Sequence, residues 1–176
     1  SFLLNGKETV ISQRGNRQSK DIALEFLKQE YEKLGYKTSI VGNNTDIKNF
    51  QAVREGEIPN KFVVLTSHMD SVWNAGADDN GSGTIANLAI AKALQEHGFK
   101  YSLKILAFDV EELGLVGSKH YVKNTDRTQI LLNWNLDMVG YDSDKDRAIH
   151  VMDCDRADSL PIKTRAIEVI NALKLP

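Results

Sequence analysis

The stretch "SHMDSVWNAGADDNGSG", Ser67–Gly83, holds one histidine, three aspartates and three glycines. Acids crowded in this way repel one another and are hard to desolvate, so a folded chain that keeps them needs something to neutralise them. A divalent cation does this. The residues on either side set the frame. "KFVVLTS" (61–67) is a short, nearly continuous apolar run, the signature of a strand buried on both faces. "SGTIANLAIAKALQEHG" (82–98) has helical periodicity, with Ile85, Leu88, Ala89 and Leu94 as its apolar positions and Gly98 as its stop. A strand, a polar glycine-containing loop and a helix follow in that order.

Moving outward, the same alternation recurs. "SKDIALEFLKQEYEKLG" (19–35) reads as a helix with Ile22, Phe26, Leu27, Tyr31 and Leu34 on one face and Gly35 at its end. "YKTSIV" (36–41) and "NFQAVRE" (49–55) read as strands, and "GEIPN" (56–60) as a turn. "SLKILAFDV" (102–110) is a second buried strand, "GLVGSKHYVKN" (114–124) a helix, "QILLNWNL" (129–136) and "AIHVM" (148–152) strands. "SLPIKTRAIEVINALKL" (159–175) is a final helix with Pro161 in its first turn. Strands alternating with helices predict an α/β fold with a largely parallel central sheet.

The 176 residues suffice for one domain with a real core. At 41% hydrophobic and 26% charged the composition is that of an ordinary globular protein, and a net charge of −2 carries no nucleic-acid footprint. No apolar run approaches the ~18 residues that span a bilayer. Cys154 is the one cysteine, which excludes an intrachain disulfide, and it reads as a buried small side chain. The chain opens on "SFLLNGKETV" without a Met, which reads as a processed end or a boundary.

The polar residues fall at strand ends. His68 follows "VVLTS", Glu111 and Glu112 follow "ILAFDV", Asp137 follows "LLNWNL", and Asp79 lies in the loop after His68. In an open parallel sheet the carboxyl ends of the strands share one edge, where ligands bind. One imidazole with several carboxylates and no thiolate favours zinc, or another divalent first-row metal, in an oxygen-rich site with open positions. Of the adjacent pair Glu111-Glu112, one can bind metal while the other takes a proton from the water that the metal activates. Asp70, two residues after His68, can hold the imidazole by its other nitrogen.

Other readings compete at each position. Asp78, Asn80 and Ser82 have calcium-loop spacing, but positions nine and twelve would be Ala86 and Ala89, which offer no side-chain oxygen. "GSGTIA" lacks the third glycine and the lysine of phosphate-binding loops. "YDSDKDRA" (141–148) puts Arg147 where a calcium loop needs glycine and reads as a hairpin turn. His97 and His120 read as surface residues, and His150 as packed within its strand.

Taken in order, "HMD", "GADDNGSG", "EELGLVGS" and "NLDMVGY" resemble the di-zinc aminopeptidases of metallopeptidase family 28, the bacterial leucyl aminopeptidase-like enzymes among them. The resemblance runs from about Arg14 to Lys174. It implies a three-layer α/β/α sandwich with a mostly parallel mixed sheet, of the zinc-peptidase or phosphorylase/hydrolase-like type. It also implies roles. His68 and Asp137 would bind one zinc, Asp79 would bridge both, Glu112 would bind the other, Glu111 would be the general base and Asp70 would orient His68. Met138 would lie near the pocket for the first side chain of a peptide with a free N-terminus, and the Asp79-Asn80 peptide bond would be cis. The family's location implies a secreted or periplasmic protein. The family's second histidine ligand lies beyond the position of Pro176, so residues 1–176 are expected to be a single zinc-peptidase catalytic domain lacking its C-terminal part. Such a chain is expected to hold one zinc tightly, to show little aminopeptidase activity, and to self-associate through apolar surface. A carboxypeptidase, a glutaminyl-cyclase-like enzyme and a non-catalytic binding domain remain alternatives on the same scaffold.

Overall fold

A computed structural model describes residues 2–43, 45–143, 145, 148, 150–152 and 159–174. It falls into two compact units, Ser1–Gly140 and Tyr141–Pro176. The first unit opens with a small antiparallel hairpin, β1 (Phe2–Leu4) and β2 (Lys7–Thr9). Helix α1 (Arg17–Lys33) begins where the Asn16 side chain accepts a hydrogen bond from Ser19 N (2.9 Å). It ends at Gly35, whose φ of 81° lets Tyr36 N reach back to Tyr31 O (3.0 Å). Its buried stripe is Ala23, Leu24, Leu27 and Tyr31, with Phe26 and Leu34 partly buried against the core. The stripe is centred on Leu24 and Leu27, and Phe26 turns aside to stack against Phe2 of β1, ring centroids 4.5 Å apart.

Five strands make the central sheet in the order β3-β4-β6-β5-β7: β3 (Lys37–Gly42), β4 (Lys48–Arg54), β5 (Ile58–His68), β6 (Tyr101–Phe108) and β7 (Ile130–Asn135). β5 pairs in parallel with both β6 and β7, while β4 is antiparallel to β3 and β6. Four strands therefore share one direction and β4 alone is reversed, so the sheet is mixed. Phe50, Ala52, Val64, Leu65, Leu103, Ile105 and Leu106 are buried in its centre. The expected turn at residues 56–60 is shorter than the sequence implied. Ile58–Asn60 already belong to β5, because Ile58 pairs with Tyr101 and the irregularity is a register shift between Ile58 and Phe62.

Helix α2 (Gly83–Ala93) stops before the expected Gly98; Leu88 and Leu94 pack against the core as expected, but its most buried positions are others. Gly83, Thr84, Asn87 and Ala91 are buried, whereas Ile85 and Ala89 are exposed. The reason is local: the Thr84 hydroxyl donates to His68 O (2.9 Å) and lies 3.1 Å from the Ser67 hydroxyl, which draws that face of the helix onto the end of β5. Helix α3 (Val116–Lys123) lies against the sheet through Gly117 and Tyr121. A Cβ at Gly117 would meet Asp109 O at 2.1 Å, so only glycine allows this approach.

In the second unit, α4 (Leu160–Leu173) forms where the sequence predicts it, with Pro161 in its first turn. The expected strand at 148–152 is absent among the described residues of that stretch, and His150 is exposed rather than packed. Cys154 and three residues of the expected hairpin turn at 141–148 lie outside the described residues.

Candidate metal centre

Parallel pairing fixes where the polar residues meet. His68 stands opposite Phe108 in the β5–β6 register, and Thr66 stands opposite Asn135 in the β5–β7 register. The segments following β5, β6 and β7 therefore leave the sheet at one edge, and they carry His68 and Asp70, Glu111 and Glu112, and Asp137. The loop between β5 and α2 contains a wide helical turn, Ala77–Ser82, broken by non-helical angles at Asp79 (φ −97°, ψ 97°) and Asn80 (φ −126°, ψ 48°). Asp79 thereby points to the same place, and the Asp79-Asn80 peptide bond is cis.

His68 is 4% exposed. Its Nε2 lies 3.0 Å from Asp79 Oδ1, 3.6 Å from Asp137 Oδ1 and 3.8 Å from Glu111 Oε2. One ligand atom each from His68, Asp79 and Glu112 fall within 4.8 Å of one another, a spacing that admits a single cation. This donor set fits zinc, with one neutral nitrogen and hard oxygens on an open side. Burial disfavours the imidazolium, but Asp137 and Asp70 outweigh it and push the His68 pKa up to about 10. The carboxylates thus draw positive charge to this point, either as a proton on the ring or as a cation among them.

Asp70 touches more than the sequence suggested. Its Oδ1 is 3.5 Å from His68 Nδ1, within ion-pair reach but without hydrogen-bond geometry. The same carboxylate accepts the backbone N–H groups of Glu111 (3.0 Å) and Glu112 (3.3 Å). Burial would raise its pKa, yet His68 and these two amides hold it below the ordinary aspartate value. Glu111 is shifted the other way: burial raises it, and Asp70, Asp137 and Asp79 add to the rise against the opposing effect of His68. Glu112 is raised as well, by burial and then by Asp79. Met138 follows Asp137 with φ 50° and is 58% exposed.

Two supports have no local signal in the sequence. Arg14 holds the segment after His68 by donating from Nε to Met69 O (2.6 Å), from Nη1 to Ala75 O (2.7 Å) and from Nη2 to Gly76 O (2.6 Å). Asp109, fully buried beside the glutamate pair, binds Arg17 Nη2, lies 2.7 Å from Lys20 Nζ and accepts from Lys48 N (3.0 Å). Asp109 thus faces helix α1 and not the metal cluster. His97 is exposed and His120 half-buried on α3.

An imidazole and several carboxylates gathered at one edge of an α/β sheet form a site suited to a divalent metal. The chain belongs to peptidase family M28, whose family profile matches residues 49–171. It is 34% identical over 153 residues to aminopeptidase YwaD of Bacillus subtilis, covering 84% of this chain and 33% of that protein. It is 41% identical over 100 residues to a probable leucine aminopeptidase 2 of Aspergillus oryzae, covering 54% of this chain and 20% of that one. Among solved structures it resembles a zinc aminopeptidase from Bacillus subtilis, with 38% identity and a TM-score of 0.51 over 53% of this chain and 24% of the other. The chain thus spans a third or less of these relatives.

Proposed function

We propose that this domain carries the metal-holding edge of a zinc-dependent exopeptidase that removes the N-terminal residue of peptides. The observation that supports it most is the convergence of Asp79, Asp137 and Glu111 oxygens within 3.0–3.8 Å of one buried imidazole nitrogen. The relatives that carry the names aminopeptidase and zinc aminopeptidase favour the same reading. Zinc, when bound, supplies the positive charge that acidifies a water and polarises a scissile carbonyl. His68, Asp79 and Asp137 would hold it, with Glu112 and Asp79 facing a second position. Glu111 is the general base: it takes the proton of the attacking water and returns it to the leaving amine. Asp70 holds the backbone of Glu111 in place through the amide hydrogen bond, and Met138 borders the position of the first side chain.

Among the described residues, His68 is the one imidazole in the cluster. Two carboxylates without an imidazole hold zinc weakly, so this chain is expected to retain one zinc after dialysis against a mild chelator. Metal analysis of the dialysed protein checks this; two retained ions, or none, would refute it. Hydrolysis of an aminoacyl anilide by the full-length protein, lost on stronger chelation and restored by zinc, tests the activity. Hydrolysis that proceeds undiminished after full zinc removal would exclude the metallopeptidase reading.

A further inference from the structure

Asp78, Asn80 and Ser82 alternate around Asp79, and their calcium-loop spacing has no completing ligands. Their side chains turn instead to the segment after β7. Asp78 Oδ1 accepts from Gly140 N (2.8 Å), and the Ser82 hydroxyl accepts from Val139 N (2.9 Å). That hydroxyl lies 2.7 Å from Asp78 O and 3.2 Å from Asp78 Oδ1, so its single proton ties the two residues together. Asn80, fully buried, donates from Nδ2 to Leu136 O (2.9 Å) and accepts at Oδ1 from Gly83 N (3.0 Å) and Met138 N (3.4 Å). The backbone is thus held at Leu136, Met138, Val139 and Gly140, on both sides of Asp137. The packing is close enough that a Cβ at Gly83 would meet Leu136 O at 2.3 Å, and one at Gly140 would meet Ser82 Cβ at 2.8 Å.

We propose that Asp78, Asn80 and Ser82 are positioning residues that clamp the 136–140 loop so that the Asp137 carboxylate is set against His68 and Asp79. They bind no metal themselves. This inference rests on the zinc reading of those three residues and goes beyond it. Among the described residues β7 ends the strand order and Asp137 lies in the loop beyond it; left free, that loop would have to be ordered each time a cation bound. The clamp orders it beforehand, and the two loops that supply Asp79 and Asp137 behave as one piece.

The test is a zinc competition titration of the full-length protein against a chromogenic chelator, with hydrogen exchange of the metal-free protein alongside. Asp78→Ala is expected to bind zinc about 10–100-fold more weakly, the range typical of lost outer supports. Asp78→Asn keeps an acceptor oxygen for Gly140 N and is expected to bind close to the parent. Ser82→Ala removes the acceptor for Val139 N and is expected to weaken zinc independently; it carries the test should Asp78→Ala fail to fold. Exchange should quicken at the Gly140 amide in Asp78→Ala and at the Val139 amide in Ser82→Ala. Parental zinc affinity in Asp78→Ala, equal weakness in Asp78→Asn, or unchanged exchange at these amides would overturn the clamp while leaving the zinc reading intact. A parent that binds no zinc would overturn both.

Discussion

Glu111→Gln in the full-length protein is expected to keep zinc and to lower turnover of an aminoacyl anilide by about 10²–10⁴-fold, the usual effect of losing a general base. The substitution preserves shape, and the Glu111 backbone would still donate to Asp70. It removes the one feature the reading depends on, a carboxylate able to take and return a proton. Glu112→Gln should behave differently, because that carboxylate is the one proposed to hold the second metal position with Asp79. Its loss should appear first as weaker zinc retention, with activity recovering as zinc is added. Parental turnover in Glu111→Gln, measured at saturating zinc, would remove Glu111 from the proposed role.

The largest expected effect on stability belongs to Asp109→Ala. Asp109 is fully buried and faces Arg17 and Lys20, with Lys20 itself only 8% exposed. Its carboxylate also accepts from Lys48 N, and its own N–H donates to Asn49 Oδ1 (2.9 Å). Removing one partner of a buried ion pair leaves the remaining charges desolvated without compensation, at about 3–5 kcal/mol. Equilibrium urea unfolding, followed through the midpoint at constant slope, measures this. Breaking the exposed Lys37–Glu55 pair should cost far less, since water already solvates both groups. If the two variants lose similar stability, the buried network does not have the structural weight assigned to it. Val110, next in the chain, has a φ of 57° that a β-branched residue rarely adopts. Fixing Asp109 on one side and the Glu111 and Glu112 amides on the other holds the chain through that unfavourable turn.

The parts of this molecule legible in the sequence are those governed by local periodicity. The runs at 61–67 and 102–110 read as buried strands, and the one topological rule that ligands gather at carboxyl ends of parallel strands brings His68, Glu111, Glu112 and Asp137 to one edge. The roles of individual residues came from a family resemblance and not from periodicity. What stayed hidden depended on contacts between distant segments. Nothing around Arg14 announces that its guanidinium will meet three carbonyls in the 69–76 segment. On helix α2 the apolar positions Leu88 and Leu94 pack against the core as periodicity implies, but Ile85 is exposed while Thr84 is buried, and apolarity does not reveal that the Thr84 hydroxyl is needed at His68 O. The strand expected at 148–152 rests on alternation in a five-residue window, a signal too short to fix an element by itself.

The β5–β7 pairing joins Phe62 to Ile130 and Thr66 to Asn135, whereas β3 and β4 meet across a short turn from Gly42 to Lys48. During refolding the chain must close the long loop between β5 and β7 before that contact returns any energy, so the β3–β4 hairpin has the head start. His68 and Asp137 come together only when the slower pairing forms. Zinc uptake should therefore mark the end of folding and not its beginning. Within residues 1–176, a Trp73→Phe variant leaves Trp134, on β7, as the remaining tryptophan. Its fluorescence and the signal of a zinc indicator should rise together in a stopped-flow experiment; uptake that clearly precedes the Trp134 signal would show that the site assembles without its sheet.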